Sequence, residues 1–138
     1  MTILKFNIEG KVKAKQSFKI GRNGFKYTPA DVKEYSNWVR LCFRYAYPEH
    51  LPSVFFEKQL NVTINAYFVI PKSFSKKKQQ EAKEGFIRPT VKPDCDNIAK
   101  NIDDALNGLA YPDDKQIISL TVNKYYAETE KTEVIIHD

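Results

Sequence analysis

The sequence predicts an α+β fold with a single mixed sheet that is covered by helices, and three observations support this class. Stretches of alternating apolar residues indicate strands, and stretches with apolar residues three and four positions apart indicate amphipathic helices. These stretches follow one another as strand, hairpin, helix, strand, helix, helix, strand and strand, an order that favours one sheet with helices packed against it. Because the chain has 138 residues, we expect residues 1–138 to form one domain.

The N-terminal part of the chain predicts an edge strand and a basic hairpin. Alternating apolar residues over 3–8 indicate the strand. The dipeptide Asn23-Gly24 lies between two short alternating arms within residues 18–27, which is a strong local signal for a β-hairpin. Residues 10–26 contain six basic side chains and no acidic one, so we expect the hairpin to be a protruding basic ribbon.

Three helices are expected, and the first and third are amphipathic. The first begins near Thr28 and Pro29, because threonine is a good N-cap and proline suits the first helical position, and it runs to about Tyr45. The second is a solvent-facing, lysine-rich helix within residues 73–83 that starts with a serine cap, and the third spans residues 96–109. The core-facing stripes of the first and third helices consist of Val32, Tyr35, Val39, Cys42, Phe43, Ile98, Ile102, Ala105, Leu106 and Leu109.

Three more stretches are predicted to be strands. Residues 60–70 alternate in period two and stop at Pro71, which indicates a strand of the main sheet. Residues 115–127 and 132–137 are two further apolar-rich stretches joined by a charged link. We expect these last two strands to pair with each other as a hairpin.

The net charge of +5 conceals two unlike parts of the chain. Residues 1–92 contain 18 basic and 7 acidic side chains, a net charge of +11, whereas residues 93–138 contain 4 basic and 10 acidic ones, a net charge of −6. This asymmetry indicates an anionic partner held by the basic part, while the carboxylates of the last third serve another purpose. Ordinary scatter of solvated charge is the alternative interpretation.

The composition argues against membrane, secreted and zinc-binding classes. No apolar stretch approaches the roughly 18 residues of a membrane span, and the N-terminus lacks the features of a signal peptide, so we expect a cytoplasmic protein with no membrane partner. Cys42 and Cys95 are far apart and have no zinc-ligand spacing to His50 or His137. The sequence therefore predicts reduced, structural thiols.

Two pairs of aspartates are candidate metal ligands. Asp94 and Asp96 lie just before a predicted helix, and in an extended segment this spacing directs both side chains to one side. Asp113 and Asp114 follow that helix and a short loop, where the chain can return toward the first pair. Oxygen-only ligands favour Mg²⁺, with Mn²⁺ as a substitute, and such an ion supports phosphodiester hydrolysis. The alternative is that the first pair only begins a helix and the second only forms a turn.

A lysine on the same helix is the next candidate. Lys100 lies four positions after Asp96, and Asp103 follows by three more, so the three share a helix face that opposes the apolar stripe. We therefore expect Lys100 to be exposed, where it can hold a phosphate oxygen, orient water or stabilise developing charge. The alternative is a surface network of Asp96, Lys100 and Asp103 that contributes only tenths of a kcal/mol.

These residues also carry a resemblance to a known family. The runs KPDCDNIAK (92–100), DALNG (104–108) and DDKQI (113–117) resemble the pattern of the RusA family of Holliday junction resolvases, which combines an Asp-x-Asp-Asn motif, a lysine four residues later, an Asp-Ala-Leu continuation and a later Asp-Asp before a strand. The match is specific because several chemically different residue types occur at the same spacings as in the family pattern. It is strong over residues 86–137 and looser in the N-terminal ribbon.

The resemblance implies a RusA-like fold and a Mg²⁺-dependent crossover junction endodeoxyribonuclease. Such an enzyme acts in DNA recombination and repair as a homodimer on branched DNA, makes paired symmetric nicks across a four-way junction and leaves 5′-phosphate ends. It needs no nucleotide cofactor. Carried over by position, the metal-binding catalytic carboxylates are Asp94, Asp96 and Asp114, the essential basic residue is Lys100, and the supporting residues are Asp113 and Asp104.

The expected DNA contacts come from the basic part of the chain. Lysines and an arginine there would follow backbone phosphates and make binding fall with salt; they are Lys13, Lys15, Lys19, Arg22 and Lys26 in the ribbon, and Lys76 and Lys77 in the lysine-rich helix. Members of the family often carry arginines near the N-terminus, where this chain has lysines. Lysine contacts phosphate as a point charge, whereas arginine contacts it bidentately, and this difference bears on the selectivity for junctions over other branched DNA.

Two other functions remain as alternatives. One is a catalytically idle protein that binds branched DNA, in which Asp94 and Asp96 are only helix-start acids. The other is a flap or branch nuclease with the same site.

Overall fold

The structure, a computed structural model, describes residues 1–12, 19–20, 26–27 and 30–138, with side chains for residues 1–12 and 33–138. The strands are β1 (Ile3–Glu9), β2 (Lys19–Ile20), β3 (Lys26–Tyr27), β4 (Leu60–Val69), β5 (Ile117–Ala127) and β6 (Lys131–His137). The helices are α1 (Ala30–Ala46), α2 (Lys76–Lys83) and α3 (Cys95–Leu106), with short 3-10 turns at Pro52–Phe55 and Asp114–Gln116.

The main sheet is mixed, and its strand order is β1-β6-β4-β5. Strand β6 is antiparallel to both β1 and β4, whereas β4 and β5 are parallel. Strands β2 and β3 form a separate antiparallel pair, which confirms that the ribbon is a hairpin. The predicted α+β class with one mixed main sheet is therefore confirmed.

The predicted pairing of the last two strands is wrong. Strand β4 lies between β5 and β6, so these two strands do not form a hairpin. Their link crosses the end of β4, where the Ile70 N–H donates to the Ala127 carbonyl at 3.1 Å and the Gly10 N–H donates to the Glu130 carbonyl at 3.2 Å. The physical reason is backbone pairing: in this position β4 is paired along both edges, with β5 over Leu60–Val69 and with β6 over Asn61–Tyr67, so that its N–H and C=O groups have partners on both sides.

The core lies between one face of the sheet and the helices α1 and α3. The predicted stripes are confirmed where side chains are described: α1 buries Tyr35, Val39 and Phe43 and half-buries Cys42, and α3 buries Ile98, Ile102, Ala105 and Leu106. Leu109 is half-buried against the same core but lies beyond the end of α3. The ring of Phe43 packs edge-on against Phe6 of β1 with centroids 5.3 Å apart, which ties α1 to the sheet. Val32 lies outside the described side chains.

The ends of α3 differ slightly from the prediction. The helix begins at Cys95 and ends at Leu106, whereas the sequence predicted an end at Leu109. Asn107 is extended, Gly108 has a φ of +79°, and the Gly108 N–H donates to the Tyr111 carbonyl at 2.8 Å. A positive φ suits glycine, so the chain turns there and leads toward the second pair of aspartates.

The other helix and the two cysteines follow the predictions. Helix α2 starts with Ser75, whose hydroxyl accepts the Lys78 N–H at 3.2 Å, so the predicted serine cap is confirmed. Cys42 and Cys95 are both free thiols. In the part of the chain that the structure describes, no helix has the length and apolar character needed to cross a membrane.

Candidate active site

Asp94 and Asp96 lie at the N-terminus of α3. Asp94 is the N-cap residue, and its Oδ1 accepts the Asn97 N–H at 2.9 Å. Asp96 lies in the first turn, where a negative charge is favoured by the helix dipole. The capping interpretation of this motif is therefore confirmed, and it leaves both exposed carboxylates able to contact a ligand through their remaining oxygens.

One exposed face of α3 carries Lys100 between two carboxylates. Asp96 and Asp103 are separated by seven residues, a rise of about 10 Å, and Lys100 lies between them. Lys100 is exposed, as predicted. The alternative interpretation, an Asp96–Lys100–Asp103 network, is not observed, because Lys100 makes no salt bridge with the side chains that the structure describes. Its positive charge is therefore not neutralised by an adjacent acid.

The second pair of aspartates belongs to the 3-10 turn Asp114–Gln116. Asp113 is its N-cap: the side chain accepts the Lys115 N–H at 3.0 Å, and the Gln116 Oε1 accepts the Asp113 N–H at 3.2 Å. These reciprocal bonds form a capping box. The backbone hydrogen bond from Lys115 holds the pKa of the exposed Asp113 carboxyl below its usual value.

Gln116 fixes this turn to the rest of the molecule. Its Nε2 donates to the Phe55 carbonyl at 2.7 Å and to the Lys58 carbonyl at 3.0 Å. One side chain thus joins the capping box to the loop that precedes β4. Gln116 is a positioning residue for Asp114, and the sequence analysis missed it although Asp113-x-x-Gln116 has the spacing of a capping box.

The turn brings Asp114 near the C-terminal half of α3. The pKa of Asp114 is raised by partial burial, by a side-chain hydrogen bond with Asp113 and by the charges of Asp113 and Asp104. Burial, together with the charges of Asp114 and Asp104, raises the pKa of Asp103 to about 6. Four carboxylates therefore share a small region and repel one another.

Asp103 is the most constrained of these acids. Its Oδ1 is buried and makes no hydrogen bond to the residues that the structure describes. Beside it, Tyr111 is fully buried and donates its hydroxyl to the Asp103 main-chain carbonyl at 3.3 Å. Asp103 was predicted on the helix face opposite the apolar stripe, with a surface network as the alternative, whereas it is partly buried. The signal against this prediction was its position directly after Ile102 and three residues before Leu106, both in the core stripe.

The acids thus lie in two groups along α3. One group is Asp94 and Asp96 at the N-terminus, and the other is Asp103, Asp104, Asp113 and Asp114 near the opposite end. Among residues 1–12 and 33–138, no three acidic, histidine or cysteine side chains are arranged closely enough to hold one metal ion. The sequence predicted that Asp113 and Asp114 return toward Asp94 and Asp96. In the structure Asp114 lies near Asp113 and Asp104 instead, and the described residues contain no group of three ligands that would include Asp94, Asp96 and Asp114.

The donor chemistry of both groups nevertheless fits a hard divalent cation. All the candidate donors are carboxylate oxygens, which Mg²⁺ and Mn²⁺ prefer over softer ligands. A cation would also relieve the repulsion that raises the pKa of Asp114 and Asp103. In addition, the Asp103 Oδ1 is a buried acceptor to which no described residue donates a hydrogen bond.

The predicted DNA contacts are described only in part. Lys76 and Lys77 are exposed in the first turn of α2. Lys19 and Lys26 belong to the β2–β3 hairpin, but their side chains lie outside the described part of the chain. Lys13, Lys15 and Arg22 lie outside the described residues altogether.

Comparison with known proteins gives two matches. A family model described as "Endodeoxyribonuclease RusA" matches residues 9–137. The "Uncharacterized protein YqaN" of Bacillus subtilis (strain 168) is 38% identical over 112 residues, which is 80% of this chain and 76% of that protein. The family match includes all the candidate site residues of the two acidic groups and Lys100.

Proposed function

The chain belongs to the RusA family of endodeoxyribonucleases, and we propose that it is a divalent-metal-dependent nuclease that resolves four-way DNA junctions by paired symmetric nicks. In this proposal the metal-binding carboxylates for Mg²⁺ or Mn²⁺ are Asp94 and Asp96 at the N-terminus of α3 and Asp114 near its other end, and Lys100 contacts the phosphate. Asp113 and Asp104 support them, and the products carry 5′-phosphates. The role would be in DNA recombination and repair.

The observation that carries the proposal is the arrangement of charge along α3. The ammonium group of Lys100, which forms no ion pair with the side chains that the structure describes, lies on an exposed helix face between two groups of carboxylates. A phosphodiester needs a positive group against its nonbridging oxygens, and a hard cation needs carboxylates nearby. Both requirements are met on one surface that is open to a large substrate.

The residues of the chain supply positioning and electrostatic stabilisation. Bound Mg²⁺ would neutralise phosphate charge and lower the pKa of a coordinated water. Lys100 would hold a nonbridging oxygen and stabilise the charge that develops on it in the transition state. The cap bond from Asn97 holds one Asp94 oxygen in place and leaves the other for the ligand, and Gln116 holds the turn that presents Asp114.

A cleavage assay on a synthetic four-way junction tests the activity. We expect Mg²⁺-dependent nicking by the wild type and a loss of at least about 10²-fold in the Asp94→Asn variant, a typical effect for one charged active-site group. Because asparagine is as good an N-cap as aspartate, the substitution removes the carboxylate and leaves α3 intact. Asp138→Asn, a change at the far end of β6, is the matched control and should cut as the wild type does.

Each outcome of this assay has a defined meaning. Equal cutting by the wild type and Asp94→Asn would show that the residue assignment is wrong, and absence of cutting by both would show that the activity is wrong. Parallel assays on flap and duplex DNA separate a junction resolvase from a flap or branch nuclease. Titration calorimetry with Mn²⁺ tests the ligand set: if Asp94 and Asp114 share an ion, Asp94→Asn and Asp114→Asn should each abolish its binding.

A second candidate function is a branched-DNA-binding protein without catalysis. The favouring observation is that Asp94 and Asp113 both cap helical turns, so each has a structural role. This candidate predicts junction binding that is unaffected by Mg²⁺ and no cleavage products under any metal condition. An electrophoretic binding assay beside the cleavage assay distinguishes the two functions.

A further inference from the structure

The face of the main sheet opposite the core is lined by polar and aromatic side chains. We call this surface the open face; its residues alternate with the buried ones and include Lys5, Asn65, Tyr67, Asn123, Tyr125, Lys131 and Glu133, with Arg88 from the loop after α2. Each of these residues is partly or fully exposed. The described part of the chain therefore leaves this face accessible, with α2 against one side of it.

The centre of the open face is a row of stacked rings with a cation at each end. Tyr67 on β4 and Tyr125 on β5 stack with centroids 5.6 Å apart and an interplanar angle of 26°. The Arg88 guanidinium carbon lies 4.3 Å from the centroid of Tyr125, and the Lys131 Nζ lies 5.5 Å from that of Tyr67. The row thus offers aromatic surface and two positive charges across three adjacent strands.

A chain of hydrogen bonds holds the open face in place. The Asn123 Nδ2 donates to the Asn65 Oδ1 at 3.0 Å, and the Asn65 Nδ2 donates to the Glu133 Oε1 at 3.1 Å. The other Glu133 oxygen forms a salt bridge with the Lys5 Nζ at 3.4 Å. The acid is therefore already neutralised by Lys5, and the charges of Arg88 and Lys131 leave the face positive.

A cavity adjoins the two tyrosines. It has a volume of about 300 Å³ between the rings and the last turn of α2, and its other walls are Asn65, Tyr126, Lys83 and Glu84. This volume is at the small end of ligand sites and suits one nucleotide, not a double helix. On this wall Lys83 forms a salt bridge with Glu128 at 3.4 Å, and Glu84 accepts a hydrogen bond from the Gln80 Nε2 at 2.9 Å.

The open face is continuous with the candidate active site along the free edge of β5. The Arg88 Nε donates to the Lys124 carbonyl at 2.7 Å, and the Cys95 Sγ lies 3.9 Å from the Val122 carbonyl. These anchor points are two residues apart on one strand, about 7 Å. The segment from Arg88 to Asp94 therefore joins the stacked row to the N-terminus of α3.

We propose that the open face binds an unpaired nucleotide of the DNA substrate, with its base in the cavity against Tyr67 and Tyr125 and the flanking phosphates on Arg88 and Lys131. This inference rests on the proposed function, which supplies a DNA substrate. Aromatic rings beside cations are the chemistry that binds single-stranded nucleic acid, because every base has a π-face and every linkage has a phosphate. A branch point, a gap or a flap provides such nucleotides, whereas a continuous duplex does not.

The test measures binding without cleavage, by fluorescence anisotropy in EDTA with a labelled oligothymidylate and with a blunt duplex. We expect the variant that combines Tyr67→Leu with Tyr125→Leu to bind the oligothymidylate at least about 10-fold more weakly, since stacking contributes about 1–3 kcal/mol per base. Duplex binding should change by less than about twofold. The control is Tyr45→Leu, which removes a 92% exposed tyrosine from α1, and it should bind both DNAs as the wild type does.

Two further measurements keep the test independent of the folding of that variant. The exposed Arg88→Gln variant should weaken oligothymidylate binding and lower its salt dependence by about 0.7 in the log–log slope, the value for one phosphate on a single strand. Photocrosslinking of wild-type protein to an oligonucleotide that contains 5-iodouracil should place the crosslink on Tyr67, Tyr125 or Tyr126.

Three results would overturn the inference. The first is a crosslink that maps elsewhere together with unchanged binding by the variants, while the wild type still cuts junctions; in that case the proposed function stands and only the open face is misassigned. The second is a variant that loses duplex binding and oligothymidylate binding to the same extent, relative to the wild type. The third is a wild type that sediments as a dimer while the variant with Tyr67→Leu and Tyr125→Leu sediments as a monomer, which would identify the open face as a subunit interface. A wild type that binds no DNA at all overturns the proposed function as well.

Discussion

The Asp103 carboxyl group lies where a negative charge is unfavourable. Its side chain lies between the core stripe of α3 and the acidic turn, and one carboxylate oxygen is buried. Burial and the charges of Asp114 and Asp104 raise its pKa to about 6, so at neutral pH the carboxylate is ionised in surroundings that disfavour charge. Asp103 therefore destabilises the metal-free protein at neutral pH.

The pH dependence of this cost gives a stability prediction. The pKa of Asp103 is higher in the folded state, about 6, than its usual value of 3.8, so its contribution to stability is present below 3.8 and is lost as the pH rises through 6. In EDTA, Asp103→Asn should therefore raise the free energy of unfolding by about 1–2 kcal/mol at pH 7.5 and by much less at pH 4.

Urea denaturation at the two pH values measures this difference. The control is Glu34→Gln, which changes an exposed acid on α1 and should show no such pH-dependent gain. A gain from Asp103→Asn that is the same at pH 4 and pH 7.5 would contradict the assignment, because an effect of shape or packing does not follow the ionisation of a carboxyl group.

At the scale of elements, the 3-10 turn Asp114–Gln116 connects distant parts of the site. Its capping box is local, but Gln116 also bonds two carbonyls of the loop before β4. The start of β5 and the loop before β4 are thereby held together beside the acidic turn. The position of Asp114 thus depends on one amide side chain.

Replacement of the Gln116 side chain should release the 3-10 turn from the loop before β4. Gln116→Ala removes two hydrogen-bond donors and half of the capping box, so we expect a loss of about 1–2 kcal/mol in the free energy of unfolding. Because Asp114 would lose its fixed position, Mn²⁺ affinity and junction cleavage should fall as well. Urea denaturation in EDTA and calorimetry with Mn²⁺ measure the two effects separately.

The nearby, exposed Gln59 offers a matched control for this change. Gln59→Ala should leave stability, Mn²⁺ affinity and cleavage at wild-type values. If Gln116→Ala behaves in the same way as Gln59→Ala, the turn is held by other contacts and Gln116 does not position Asp114.

At the scale of the whole molecule, the division of charge corresponds to separate surfaces. Lys76 and Lys77 on α2, and Lys5 and Arg88 of the open face, belong to the basic part of the chain, whereas the acidic groups lie along α3 and the turn before β5. A polyanion is attracted by the first set and, without a cation, repelled by the second. A divalent ion would remove that repulsion where the phosphodiester has to approach.

Paired nicking predicts a homodimer. Two symmetric cuts across a four-way junction call for two identical sites related by a two-fold axis. Light scattering of the purified protein at micromolar concentration should therefore give about twice the 16.0 kDa mass of one chain. A monomeric mass, measured on protein that still makes paired nicks in the junction assay, would show that dimerisation is not required before DNA binding.

Local sequence patterns predicted the elements, the core stripes and the residue types of the candidate site. Periodicity located α1, α3 and β4, and the runs around Asp94, Lys100 and Asp114 indicated the family that the match over residues 9–137 shows. These properties follow from local rules of spacing, capping and side-chain chemistry.

Only the tertiary structure decided the position of β4 between β5 and β6, the burial of Asp103, the anchoring role of Gln116 and the separation of the acids into two groups. The physical reason is the same for each: strand order, burial and long-range hydrogen bonds depend on residues that are distant in sequence and compete for one core. The spacing of residues along the sequence does not predict which strand or carbonyl group lies beside a given side chain in the folded chain.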